Sequence, residues 1–591
     1  MKKKDLRSKE WFDNPKDPGL TALYLERYLN YGLKREDLQS GKPIIGIAQS
    51  GSDLSPCNRH FQALSNVIKD GIREAGGVPM EFPTHPIQET GKRPTAALDR
   101  NLSYLSLVEV LYGYPIDGVI LTTGCDKTTP AALMAAATVN IPSIVLSGGP
   151  MLDGTYKGKK AGSGTIIWEA RRLHAKGEIS YEEFMDMAAA SAPSIGHCNT
   201  MGTASSMNSI AEALGMSLTG GAIIPAPYKE RESISFKTGK RIVEMVHEDL
   251  TPSKIMTKKA FENAIYVASA IGASSNCPPH LTAIARHMGI DFGIDNWEKL
   301  GHDIPLLVNC QPAGEHLMEG FFKAGGIPAI MQELMKNNKL HKDLMTVTGK
   351  TIAENLIEKI DIDENIIKSF KNPLVNNAGF IVMKSNFFNS AVMKTSVISS
   401  EFRKRYLSNP TSLNLFEANA VVFEGPEDYH LRINDESLNI DENSILMIRG
   451  CGPVGYPGSA EVVNMQPPDK LLKQGINTLP TLGDGRQSGT SESPSILNVS
   501  PESAIGGSLL IVETGDKIKI DLNNSRIDLM ISSEEIEKRR KKVKIPKLEN
   551  QTPWQEISRK MVGQLETGAC LETESLYLDI TNTKGMPRHS H

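Results

Sequence analysis

The chain lacks the marks of a nucleic-acid or membrane protein. Its 591 residues carry 65 Lys and Arg against 69 Asp and Glu, a formal net charge of −4. That leaves no basic field for a phosphate backbone and no single-sign excess for a charged bilayer. Long hydrophobic runs are missing: the longest, over residues 130–145, is broken by Thr138, Asn140, Pro142 and Ser143 and reads as helix, turn and strand. The basic N-terminus leads into Trp11-Phe12-Asp13-Asn14-Pro15 instead of an apolar segment with a cleavage site, so a cytoplasmic location is expected. Cysteine is sparse, and the seven, at 57, 125, 198, 277, 310, 451 and 570, are odd in number and widely scattered. Disulfides are then not expected, which leaves metal binding or plain burial.

Familiar catalytic signatures are missing too. The glycine-rich stretch 450–458 has no Gly-Lys-Ser/Thr after it and is not a phosphate-binding loop. Ser488 lies in the glycine-punctuated loop 483–490, but Arg486 and Thr490 stand where a nucleophile elbow needs glycine, which argues against a serine triad. There is no internal repeat and no low-complexity segment. The default ligand is small, and neutral or anionic.

The length implies roughly two to four domains. From residue 42 onward, short apolar runs alternate with helical periodicity: 43–48, 78–82, 118–121 and 141–146 read as strands, separated by amphipathic segments. This pattern predicts an α/β domain with a mainly parallel, doubly wound sheet, whose ligands sit beyond the carboxyl ends of the strands. Cys57, Glu89, Cys125 and Gly148 each follow a predicted strand, so one rim can hold them all. Residues 181–340 read as mostly helical. Past residue 378 the texture changes to short β-type runs at 380–383, 420–423, 444–448 and 508–512, followed by an alternating hairpin over 517–531. The expected division is therefore 1–378, an α/β domain, and 379–591, a mainly β, barrel-like domain with a C-terminal tail.

Cys57, Cys125 and Cys198 stand roughly seventy positions apart, unlike the paired knuckles of a zinc ribbon. What they share is context, since each lies in a polar loop bearing glycine or proline. Thiolates suit zinc or an iron-sulfur cluster, and three of them leave one coordination position open, as Lewis-acid catalysis requires. Asp126 and Lys127, next to Cys125, read on their own as a surface ion pair, and Glu89 and Glu461 as loop acids. Oxygen ligands drawn from such loops suit magnesium.

Taken together, Ser-Pro-Cys57-Asn, Thr-Gly-Cys125-Asp126-Lys127-Thr-Thr-Pro, Gly-His-Cys198-Asn-Thr-Met-Gly-Thr-Ala, Pro-Gly-Ser-Ala-Glu461 and Gly-Asp-Gly-Arg-Gln-Ser488-Gly-Thr490 resemble the dihydroxy-acid and sugar-acid dehydratase family over nearly the whole chain. The resemblance implies that Cys57, Cys125 and Cys198 bind a [2Fe-2S] cluster, and that Glu89, Asp126, Glu461 and Lys127, the last as a carbamate, hold Mg²⁺. It makes Ser488 the base, held as an alkoxide, with Thr490 beside it, and gives the terminal His589 and His591 to the sugar hydroxyls. The implied reaction is the loss of water from an aldonic acid to give a 2-keto-3-deoxy acid. D-Xylonate is the expected substrate, with L-arabinonate, other aldonates or a branched-chain dihydroxy acid as alternatives. A homodimer or homotetramer is implied as well. Two departures from the sugar-acid pattern, Ala273-Ser274-Ser275-Asn276 and Ser590, bear on fine substrate contacts only. The rival expectation, from a different class, is a non-catalytic cluster-binding redox sensor or a zinc-stabilised binding protein.

Overall fold

The run Ile44–Gln49 is apolar on successive positions because it lies inside a parallel sheet covered on both faces. In the computed structural model, which describes residues 5–30, 32–573 and 586–589, this strand is β1. With β2 (Val78–Pro83), β3 (Gly118–Thr123) and β4 (Ser143–Ser147) it forms a sheet in the order β2-β1-β3-β4, parallel throughout. β3 and β4 are buried at every position, whereas β2, at the edge, is largely half-exposed. The helices Phe61–Glu74, Ala97–Gly113 and Thr128–Val139 connect the strands. The last is built almost entirely of small and apolar residues and is buried from Thr128 to Thr138, which suits a helix enclosed by others. Thr203–Ala213, equally buried, packs against it.

All four carboxyl ends of these strands open on one rim, as doubly wound topology requires. β1 delivers the loop carrying Cys57, β2 the loop carrying Glu89, and β3 the turn Gly124-Cys125-Asp126-Lys127. The rim is tied across: the His60 ring lies 2.9 Å from Gly148 O, and Cys125 N donates to Asn58 Oδ1 at 2.9 Å. A small hairpin, β5 (Gly154–Tyr156) with β6 (Lys159–Ala161), follows β4.

The second sheet contains β7 (Phe380–Met383), β8 (Ser390–Lys394), β9 (Leu415–Phe423), β10 (Ser444–Ile448), β11 (Thr481–Gly483), β12 (Ile496–Ser500), β13 (Lys517–Asp521) and β14 (Arg526–Leu529). Its order is β14-β13-β9-β10-β11-β12-β8-β7, with β9 to β12 parallel and the flanking pairs antiparallel. The two edges meet: Lys384 N donates to Ser525 O at 2.9 Å and Ile527 N to Lys384 O at 3.0 Å. The sheet is thereby nearly closed and barrel-like. In β10, Ile445 and Met447 face the core inside the curl, while Leu446 and Ile448 join a second cluster outside it. This double burial accounts for the unbroken apolar run.

The expected α/β first half and the β-rich, barrel-like second half are both present. One expected strand is not: residues 508–512 form a 3₁₀ turn, Ser508–Ile511, that buries Leu509 and Ile511. It follows Gly506 at φ +92°, a conformation that turns the chain and breaks strand pairing. No helix among the described residues is long and apolar enough to cross a membrane.

Candidate active site

Six of the seven cysteines fall into two groups by what their sulfurs do, and the seventh, Cys277, is buried at the start of the helix Cys277–His287. Cys310, Cys451 and Cys570 are buried, and each directs its thiol at a backbone carbonyl, those of Leu317, Arg449 and Gly568 respectively. Cys57, Cys125 and Cys198 instead receive hydrogen bonds: Gln88 Nε2 donates to Cys57 Sγ at 3.2 Å, Glu89 N to Cys125 Sγ at 3.4 Å, and Ser163 Oγ to Cys198 Sγ at 3.3 Å. Donors aimed at sulfur are the environment a thiolate needs and a thiol does not. The Cys57 and Cys125 sulfurs are also in hydrogen-bond contact. That contact holds Cys57 below its ordinary value and drives Cys125 well above. Burial pushes Cys198 up to about 12, with the Cys57 charge adding to it. Three thiols that cannot all ionise in each other's company become compatible when a cation shares them.

Beside Cys125 the carboxylates of Glu89, Asp126 and Glu461 place oxygens within 4.8 Å of one another, a grouping able to hold a metal ion. Glu89 and Asp126 come from the first sheet's rim, Glu461 from the loop after β10. Lys127 lies among them, fully buried, with Nζ 2.8 Å from Glu89 Oε2 and 3.7 Å from Asp126 Oδ2. The closer contact is at an angle unsuited to a hydrogen bond, so neither Nζ nor Oε2 has a hydrogen-bond partner among the described residues. An unsatisfied buried ammonium is costly, and a carboxylate oxygen left without a donor is open to a metal.

Arg486 balances the charge. Its guanidinium reaches Glu461 Oε1 at 2.9 Å and Glu89 Oε1 at 3.4 Å, and donates to Asn276 Oδ1 and Ser459 O at 3.0 Å each. Asn276 Nδ2 in turn donates to Glu461 Oε1 at 2.7 Å and to Gln487 O at 3.2 Å. The backbone fixes this pairing, since Arg486 N donates to Ala460 O at 2.8 Å and Val462 N to Arg486 O at 2.9 Å. Burial, followed by the charge of Glu89, lifts Glu461 to about 7, and burial also raises Asp126. Glu89 goes the other way: burial works against its charge, but Lys127 and Arg486 together outweigh it and hold the carboxyl below its ordinary value. A cavity of about 370 Å³ opens on Glu89 and Glu461 and is lined also by Thr90, Thr95, His430 and Tyr456.

Ser488 stands in the same loop as Arg486. Its Oγ lies 2.9 Å from Thr490 Oγ1 and accepts from Thr490 N at 3.4 Å, while its own N donates to Asn464 Oδ1 at 3.0 Å. Trp168 Nε1 donates to Thr490 Oγ1 at 3.1 Å. That donation occupies a lone pair of Thr490 and leaves its proton free to point at Ser488, so Ser488 Oγ is placed to receive two donors. Gly489 lets the loop lie against the buried helix Thr203–Ala213: a Cβ there would sit 2.6 Å from Thr203 N and 2.8 Å from Ser274 Oγ.

The structure thus brings Cys57, Glu89, Cys125, Asp126, Lys127, Cys198 and Glu461 into one charged cluster, with Ser488 and Thr490 on the loop that carries Arg486. His589 is exposed, and His591 lies outside the described residues. Sequence reasoning gave no role to Arg486, Asn276, Gln88, Ser163 or Trp168. Arg486 carried a readable signal, a single cation inside a glycine loop that follows a buried strand. The other four had none.

The N-terminal model of the dihydroxy-acid/6-phosphogluconate dehydratases matches residues 42–355 and the corresponding C-terminal model residues 365–569. A D-xylonate dehydratase of Caulobacter vibrioides is 60% identical across 99% of this chain and 98% of its own. An L-arabinonate dehydratase of Rhizobium leguminosarum bv. trifolii is 44% identical across 91% of this chain and 92% of its own. A dihydroxy-acid dehydratase of Acetivibrio thermocellus is 35% identical across 92% and 96%.

Proposed function

The chain belongs to the dihydroxy-acid/6-phosphogluconate dehydratase family, and from that premise we propose that it dehydrates D-xylonate to 2-dehydro-3-deoxy-D-xylonate and water. Membership makes the protein a hydro-lyase and sets the non-catalytic alternatives aside. The observation that carries the reading is the juxtaposition of three donor-supplied cysteines, three converging carboxylates and a serine with two donors. The choice of sugar acid rests on the relative at 60% identity.

In this reading Cys57, Cys125 and Cys198 would hold a [2Fe-2S] cluster, three thiolates leaving one coordination position without a protein ligand. Glu89, Asp126, Glu461 and Lys127 as a carbamate hold Mg²⁺. The donor sets fit these groups: sulfurs with inward donors suit iron, and clustered carboxylates suit a hard cation. Carbamylation would remove the buried, unsatisfied ammonium of Lys127 and supply oxygen donors in its place. When bound, the two groups supply Lewis acidity toward the leaving hydroxyl and charge compensation at the substrate carboxylate and C2 oxygen.

The chain's own residues do the rest. Ser488 Oγ takes the C2 proton, and the freed electron pair forms the C2–C3 double bond as the C3–O bond breaks. The departing hydroxide takes up the proton that Ser488 removed and leaves as water, which restores the serine anion, and the enol tautomerises to the ketone. A serine hydroxyl is too weak a base unless its anion is favoured. The two donors of Thr490, its hydroxyl oriented by Trp168, favour that anion. Arg486 and Asn276 keep Glu461 in place while charges change around it.

The proposal includes the division into 1–378 and 379–591, supported by the change of sheet, a cytoplasmic location, and a homodimer or homotetramer. It also assigns His589 and His591 to the sugar hydroxyls. The test is a panel of D-xylonate, L-arabinonate, D-gluconate and a branched 2,3-dihydroxy acid, assayed for 2-keto acid formation. D-Xylonate should give the highest kcat/KM, and equal rates on the branched acid would overturn the substrate assignment. An active, folded preparation equilibrated with ¹³C-bicarbonate that shows no carbamate carbon by ¹³C NMR would contradict the carbamate.

A further inference from the structure

We propose that Gln88 and Ser163 are positioning residues for the cluster, each donating a hydrogen bond to one thiolate and so setting its reduction potential and resistance to oxidation. This rests on the reading that Cys57, Cys125 and Cys198 hold iron.

The geometry assigns the donors without ambiguity. Gln88 clasps Cys57 at two points, its Oε1 accepting from Cys57 N at 3.4 Å and its Nε2 donating to Sγ at 3.2 Å. Only one end of the amide can accept from a backbone N–H, so the other must present its protons to sulfur. Ser163 is held from both sides: its N donates to Asn199 Oδ1 at 2.8 Å and its O accepts from Thr200 Oγ1 at 3.2 Å. The holders are the two residues that follow Cys198 in sequence, and the loop is fixed with the hydroxyl on Cys198 Sγ at 3.3 Å. The third thiolate, Cys125, already has the backbone N–H of Glu89, which no side-chain substitution other than proline removes.

Apart from the contact between the Cys57 and Cys125 sulfurs, each sulfur therefore has one donor from another residue, and two of those three donors are side chains. A donor on a ligating sulfur withdraws charge from it, favours the reduced state of the metal group and makes the sulfur a poorer target for oxidants. The Ser163 loop has a second contact: a Cβ at Gly164 would sit 2.4 Å from Thr490 Oγ1. Ser163 and Gly164 thus lie against a proposed cluster thiolate and the partner of the proposed base.

The experiment uses the reconstituted full-length enzyme and the variants Ser163→Ala, Ser163→Thr and Gln88→Met. Iron content, visible spectrum, midpoint potential by spectroelectrochemistry and the rate of bleaching in air are read for each. Ser163→Ala and Gln88→Met should shift the midpoint to more negative potential and bleach faster. Ser163→Thr, which keeps the hydroxyl, should behave as the parent. Loss of iron from Ser163→Ala supports the proposal where Ser163→Thr retains it, and counts against it where Thr also fails. Unchanged potential and bleaching in both deletion variants, with iron retained, would overturn the inference and leave the cluster reading standing. A parent chain that takes up no iron would instead overturn the cluster reading, and this inference with it.

Discussion

Glu502 shows how a single buried side chain shapes the site without touching it. Its carboxylate accepts from Val454 N at 3.0 and 3.1 Å, from Gly455 N at 2.8 Å and from Gln564 Nε2 at 3.0 Å. Asp484 next to it accepts from Gly450 N at 3.1 Å, Cys451 N at 2.8 Å and Ser503 N at 2.9 Å. Together the two acids hold the glycine loop that leads to Glu461. Burial, followed by the charge of Asp484, lifts Glu502 to about 7 from an ordinary 4.5. The unfolded chain then ionises first, so this contribution to stability is complete below the lower value and is lost as pH rises through the upper one. Glu502→Gln should be less stable overall, because an amide faces donors it cannot accept, yet should flatten the pH dependence in that window by on the order of 3 kcal/mol. Urea unfolding at both ends of the window measures it, and an unchanged slope would refute the assignment. None of this was legible in the sequence, where 450–458 reads only as a glycine-rich loop that is not a phosphate-binding one. Cys57, Glu89 and Cys125 were legible as residues in strand-end loops, and Cys198 and Glu461 through the family resemblance, but the Arg486–Asn276 brace was not. Its partners are about two hundred positions apart, and nothing local encodes their meeting.

At the level of elements, the site depends on loops pressed against rigid supports. Gly489 is the point of closest approach between the Ser488 loop and the helix Thr203–Ala213, with no room for a Cβ before Thr203 N and Ser274 Oγ. Gly489→Ala should push Ser488 outward by a fraction of an ångström to an ångström. A displacement of that size should lower kcat by up to about 100-fold, while iron content and magnesium affinity hold. A variant with parental kcat would show that the loop is not the rigid mount described. Most of the first sheet was readable from sequence because β1, β3 and β4 are buried on both faces and appear as unbroken apolar runs ending in polar turns. β8, β11 and β12 escaped because they are short and interleaved with Ser, Thr, Lys and Asn, so neither alternation nor an apolar run marks them. The 508–511 turn was misread for the complementary reason, since four apolar-rich residues fit a strand or a tight helical turn equally well.

Across the whole molecule, the carboxylate cluster is divided between the two halves, with Glu89 and Asp126 on the first sheet's rim and Glu461 from the loop after β10. Before any metal binds, Arg486 spans the division, reaching Glu89 in one half and Glu461 in the other. A cation held by all three acids binds only the assembled molecule, so it must stabilise the fold by mass action. At a magnesium concentration a hundred times its Kd the gain is about 2.7 kcal/mol. Glu461→Gln keeps the size of the side chain and the Asn276 and Arg486 neighbours but withdraws the second half's charge from the cluster. In that variant Tm should rise far less with magnesium than in the parent, while the visible absorbance of the cluster proposed on Cys57, Cys125 and Cys198, all in the first half, should be unchanged. Thermal unfolding over a magnesium series separates the outcomes. Equal magnesium-dependent shifts in parent and variant would mean that Glu89 and Asp126 suffice, and that the two halves do not share the ion. A loss of absorbance together with the magnesium effect would mean that the cluster and the carboxylates form one interdependent centre, not two adjoining ones.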